Sequence, residues 1–189
     1  MVRRAGPSDG RRCGRPGTVG LVTLLAVGAV LVTSAAAVGA ARTSGPEEFD
    51  GGLIVSGASG SRNVVGSIVA ARGVFTGVGR IVERPNRPGE SDQISRDDLV
   101  FSAGTIHIVN LNRHVSLSIN RRTCKASFKA VQRTTVEGGT GRFANATGTF
   151  AGTVTASAVT RRKANGTCDQ DHPTLAEVDS FSATGTLTF

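Results

Sequence analysis

The chain has 189 residues and a formal net charge of +8, from 22 Lys+Arg against 14 Asp+Glu. Five of those bases and one acid fall within residues 1–41, so the start of the chain and the remainder each carry half of the excess; mild basicity of this kind favours solubility without selecting a partner. Eight Phe with no Tyr and no Trp argue against single-stranded nucleic-acid binding, which favours stacking aromatics, and exclude sugar binding on Trp or Tyr platforms.

Arg3, Arg4, Arg11, Arg12 and Arg15 precede an uncharged run from Pro16 to Ala41, most apolar over Leu21–Val32 and small-residue-rich from Ser34 onward. A charged start, an apolar middle and a small-residue end form the pattern of a secretory signal peptide, with cleavage expected between Ala37 and Ala41. An uncleaved anchor is the alternative, because the run exceeds the roughly 20 residues a spanning helix needs. Either reading puts the rest of the chain outside the cytoplasm, and membrane contact is expected only through this segment if it stays attached. Cys13 lies before the apolar stretch, so it is not a lipoprotein cysteine. Sparse lysine (Lys125, Lys129 and Lys163) with heavy Arg, Ala, Gly and Val usage fits a GC-rich bacterial genome.

Beyond that segment only Cys124 and Cys168 remain, 44 residues apart. An even count in an oxidising compartment predicts a disulfide, which for such a loop contributes about 4 kcal/mol by chain entropy. The pair lacks the CxxC units of a zinc ribbon, and neither a metal nor a cofactor is expected.

Residues 42–51 read as a polar lead-in, leaving 52–189 as the folded domain. From there the signal is period-2 alternation with β-branched residues. Leu53–Ser56 and Val64–Val69 are short strands, and Val74–Glu83 is a longer one, ended by the Pro- and Gly-punctuated stretch Arg84–Glu90. Asp98–Ser102 and Thr105–Leu111 flank a tight connection at Ala103-Gly104. Val115, Leu117 and Ile119 alternate with polar residues as a separate amphipathic strand. Ala126, Phe128 and Ala130 follow, then Phe150, Val154, Ala156 and Ala158 on one face, and finally Phe181, Ala183, Leu187 and Phe189. Asn165-Gly166 is a turn pair. Eight or nine antiparallel strands in under 150 residues predict an all-β barrel or sandwich.

The segment Val136-Glu137-Gly138-Gly139-Thr140-Gly141-Arg142-Phe143-Ala144-Asn145-Ala146-Thr147-Gly148-Thr149-Phe150 resembles the corresponding stretch of the dirigent and allene oxide cyclase superfamily. Gly73–Gly79 and Leu99–Ile106 look like its early strand and central hairpin. Secreted bacterial members with paired cysteines look most similar. The resemblance covers Gly73 to Phe189 and implies an eight-stranded antiparallel β-barrel with a central pocket. Physically, Gly138, Gly139 and Gly141 suit a chain reversal at positive φ, Arg142–Ala146 suits one helical turn with Phe143 capping a barrel end, and Gly148 opens the next strand. A phosphate loop is excluded because no Lys-Ser/Thr pair or helix follows.

Members of that superfamily steer or catalyse ring closure inside the barrel, but their polar pocket residues do not map onto this chain, so no catalytic set is carried over. His107, His114 and His172 match no zinc spacing. Among the carboxylates Glu83, Asp98, Glu137 and Asp179 lie in or beside strands, and one facing the interior would have a raised pKa and serve as an acid or base; Glu83 is the best placed. Small residues at Ala156, Ala158 and Ala183 favour an open interior, whereas Phe75, Phe128, Phe150 and Phe181 favour a filled one. Arg121, Arg122 and Lys125 beside Cys124, and Arg161, Arg162 and Lys163 before Cys168, would gather at one barrel end if the cysteines bond. The expected functions are binding of a small apolar ligand, interaction with anionic envelope components through that basic end, or a cyclase or isomerase acting on a small hydrophobic substrate.

Overall fold

The computed structural model describes residues 42–58 and 60–189; the signal or anchor expected over 1–41 lies outside them. Eight strands run in chain order: β1 Ser44–Ser56, β2 Asn63–Gly73, β3 Gly77–Arg84, β4 Ile94–Phe101, β5 Gly104–Asn120, β6 Lys125–Gly139, β7 Thr147–Val159 and β8 Ala176–Thr188. Each pairs antiparallel with its neighbours, and β1 also pairs with β8 from Ser44↔Thr188 to Ser56↔Ala176, closing an up-and-down barrel. Closure leaves no sheet edge for unwanted pairing. At the seam, Thr43 and Phe189 exchange backbone hydrogen bonds of 2.9 Å in both directions.

Three expectations change. Residues 44–51 are not a lead-in but the first half of β1. Their polarity hides the pattern, because Glu47 points inward in step with Phe49 and is only 3% exposed. Its Oε2 accepts the Phe75 N–H at 2.8 Å, and burial pushes its pKa up against the backbone hydrogen bonds that favour the ionised form. Second, the chain turns at Val74–Thr76 where one strand was expected, with the Val74 N–H donating to Pro46 O at 3.2 Å. Third, 105–111 and 115–119 belong to a single strand, β5. A register irregularity between Arg113 and Ser116, with His114 at φ 48°, switches which residues face inward. Ile106, Ile108 and Asn110 point in before it, and Leu117 and Ile119, opposite Phe128 and Ala126, after it. A bulge that inserts a residue has this effect on a period of two.

The core fills one end. A 3-10 turn at Gly141–Phe143 drops Phe143, with no exposed surface, into the barrel. It meets Phe75 at 5.0 Å, Phe189 at 5.2 Å and Phe101 at 6.2 Å between ring centroids, edge to face. Phe49 and Phe150 pack beneath at 5.0 Å. Gly138 and Gly141 hold φ of 92° and 57°. Gly139 and Gly148 do not take positive φ. They are close-approach glycines, at which a Cβ would stand 2.0 Å from Thr105 O and 2.4 Å from Thr186 O.

Candidate functional site: the open end of the barrel

The other end is open. Above the aromatic plug lies a cavity of about 390 Å³, within the roughly 300–1,000 Å³ of small-molecule sites. Alternation along each strand decides its lining. Phe49, Ile81, Leu99, Ile108 and Phe150 make the floor, while Leu53, Leu117, Phe128, Val154, Ala156, Ala158 and Phe181 make an apolar wall. The Phe181 ring packs against Gly51, where a Cβ would come within 2.6 Å of it. Leu117, past the β5 bulge, faces the cavity and is 64% exposed, forming an apolar lip. The small residues Ala156, Ala158 and Ala183 all line the space, and among the expected fillers Phe75 belongs to the plug, Phe150 to the floor, and Phe128 and Phe181 to the sides.

Four acidic side chains interrupt this lining, two of them beside apolar wall residues: Asp179 pairs across strands with Leu53 and Ala156, and Glu177 with Ala158. Glu83, Asp97, Glu177 and Asp179 face inward from β3, β4 and β8. Arg62, from the β1–β2 connection, pairs with Glu83 and stands 3.7 Å from Glu177 and 3.9 Å from Asp179. Burial works against its charge, but these three carboxylates outweigh that and raise its pKa. Asp97 accepts from Asn110 Nδ2 at 2.8 Å, and Thr134 donates to Asn110 Oδ1 at 2.7 Å, which fixes the amide orientation. Burial, and then the Glu83 charge, pushes the Asp97 pKa up to about 6. Burial, and then the charge and hydrogen bond of Glu177, pushes Asp179 up to about 7. Among the described residues, no hydrogen-bond donor reaches the buried Asp179 Oδ1.

Of the carboxylates singled out in the sequence, Glu83 and Asp179 thus reach the interior. Asp98 and Glu137 lie on the outer wall. Asp98 contacts His107 Nδ1 at 2.7 Å and Arg84 at 3.3 Å, and Glu137 holds Arg96 at 2.8 Å. Arg96, only 4% exposed, also forks onto Glu90 at 2.5 Å, pinning the 85–93 connection to the barrel. His172 pairs with Asp169 at 2.8 Å outside the cavity, and His114 is exposed at the bulge. No three His, Cys, Asp or Glu among the described residues form a metal-holding group.

Cys124 and Cys168 are bonded, with Cα atoms 5.3 Å apart, tying the β5–β6 turn to the long β7–β8 connection at the open end. The six bases do meet there, but half are occupied. Arg162 donates to the carbonyls of Arg121 and Arg122, Arg161 donates to those of Gly57 and Ala58, and Lys163 pairs with Asp171. Arg121, Arg122 and Lys125 stay exposed.

Sequence reading missed Asp97, Glu177 and Arg62. Asp97 shares the parity of Leu99 and Phe101, and Glu177 that of Asp179 and Phe181, so alternation alone would have placed both inward; Arg62, in a connection, carries no such signal. No protein-family model, curated protein or solved structure matches the chain.

Proposed function

We propose that the protein is an extracytoplasmic binding barrel of the dirigent and allene oxide cyclase type that holds a small, largely apolar ligand in its open half. The observation that carries this reading is the cavity, with its apolar floor, wall and exposed Leu117 lip. A solvent-reachable apolar space bounded by a few convergent polar groups is the usual character of a ligand site. The disulfide is consistent with an oxidising compartment.

Native mass spectrometry of the protein recovered from its host's medium tests this. The expected result is a reproducible added mass, lost on denaturation. Ala156→Phe, which puts a ring into the space beside Phe128 and Phe181, is expected to abolish the added mass and lower stability by about 1–3 kcal/mol through overpacking. Bare protein from the wild type, or unchanged loading of the variant, would move weight to a surface role for Arg121, Arg122 and Lys125.

A second reading, acid catalysis of ring closure or isomerisation, draws support from Asp179, whose carboxyl titrates near neutrality against the cavity. Under it, Asp179→Asn protein would carry a ligand isomer different from the wild type's; identical ligands in both would remove it.

A further inference from the structure

Resting on the reading of the cavity as a ligand site, we propose that its ligand is a cationic amphiphile: a protonated amine standing among Glu83, Asp97, Glu177 and Asp179, with an apolar body against the apolar side chains, Leu53, Phe128 and Phe181 among them, that share the cavity with those carboxylates. Every charged side chain lining the cavity is acidic. The nearby cation, Arg62, is engaged with Glu83, Glu177 and Asp179. Asp97 has only the Asn110 amide as a side-chain partner among the described residues. The rim bases do not line the space. A carboxylate or phosphate head would therefore meet like charges at close range in a shielded site.

Donor and acceptor chemistry points the same way. Ionised carboxylates only accept hydrogen bonds, and an ammonium only donates them. Asp179 Oδ1 is buried without a donor among the described residues, an unmet acceptor of the kind that calls for an explanation.

Four carboxylates against one guanidinium also couple binding to protons. The groups facing this cluster are Glu83 from β3, Asp97 from β4, Glu177 and Asp179 from β8, and Arg62 from the β1–β2 connection, with Asp98 behind Asp97 on the outer face. β5, β6 and β7 present only neutral side chains to the cavity. An incoming ammonium favours ionisation of Asp97 and Asp179, so protons leave as it enters, and affinity rises with pH as those groups ionise.

Calorimetric titration of the oxidised full chain with octylamine, octanol and octanoate, between about pH 5 and pH 8, tests the proposal. Octylamine is expected to bind at least about tenfold more tightly than octanol at ~pH 8, a gap of roughly one charge contact, and the gap should narrow toward ~pH 5. At ~pH 7 the amine's heat should vary with buffer ionisation enthalpy, which reports the released proton. The double substitution Asp97→Asn with Asp179→Asn should erase the amine-to-alcohol ratio. Octanol binding as tightly as octylamine, or octanoate binding best, overturns the amine assignment and leaves the apolar cavity reading standing. Failure of all three to bind overturns both.

Discussion

Phe143 reaches zero exposure from a three-residue turn, with three other rings around it. Truncating it to Ala leaves a void where neighbouring strands cannot collapse, and we expect a loss of about 3–5 kcal/mol in urea unfolding. Asp97 and Asp179 act differently, because their cost is pH-dependent. Both have folded pKa values raised from 3.8, to about 6 and about 7. Between those limits the folded state binds more protons than the unfolded one, so stability falls as pH climbs from ~4 to ~7 and stays low above. Glu90 works in the opposite sense. Held at about 2 by Arg96 against an ordinary 4.5, it stabilises the fold above ~4.5, and that contribution fades as pH drops toward 2. The melting temperature of ligand-free protein should therefore peak on the acidic side of neutrality. Asp97→Asn should raise it at ~pH 8 by roughly 3–6 °C, equivalent to about 1–2 kcal/mol for a domain this size, and change it little at ~pH 4. A melting profile in which Asp97→Asn lowers stability at ~pH 8 would contradict this account.

At the scale of the element, β5 and β6 rise past the barrel to form its tallest lip, and the Cys124–Cys168 bond ties their turn to the 160–175 connection. Cys124→Ser with Cys168→Ser should cost about 2–5 kcal/mol, and hydrogen exchange should quicken at the 120–125 turn while the Phe143 end stays protected. Equal loss of protection at both ends would show that the bond supports the whole barrel rather than its rim. The strands themselves were legible from alternation wherever one face is apolar, as in β7 and β8. β5 was divided because its phase changes at the bulge: each half alternates correctly, and nothing in Arg113-His114-Val115 announces that the two are continuous. β1 was missed for the opposite reason. Its inward series includes Glu47, and a buried carboxylate that accepts a backbone N–H is indistinguishable, as a letter, from a solvated one. Asp97 was readable in principle, since it keeps step with Leu99 and Phe101. Arg62 was not, because a side chain reaching back from a connection obeys no period.

The barrel divides along its axis into a part packed with rings and a part left hollow. The division follows from sizes: Phe49, Phe75, Phe101, Phe143, Phe150 and Phe189 gather at one end, while Ala126, Ala156 and Ala158 face inward at the other. The hollow half is lined by apolar side chains with four carboxylates set among them, so it offers a ligand both an apolar surface and hydrogen-bond acceptors.

The strands follow one another around the barrel in simple succession, and Thr43 and Phe189 meet across the seam as closely as any two strand partners. That seam is hydrogen-bonded from Ser44↔Thr188 to Ser56↔Ala176, like the other strand pairs. With residues 1–42 left out, joining Phe189 to Thr43 through a short link and cutting instead at Gly89, where φ is positive and nothing lies within 4 Å of a would-be Cβ, would rearrange the order of the strands while leaving every strand's neighbours in place. The closed ring of strands, rather than the linear order in which they are made, defines this molecule.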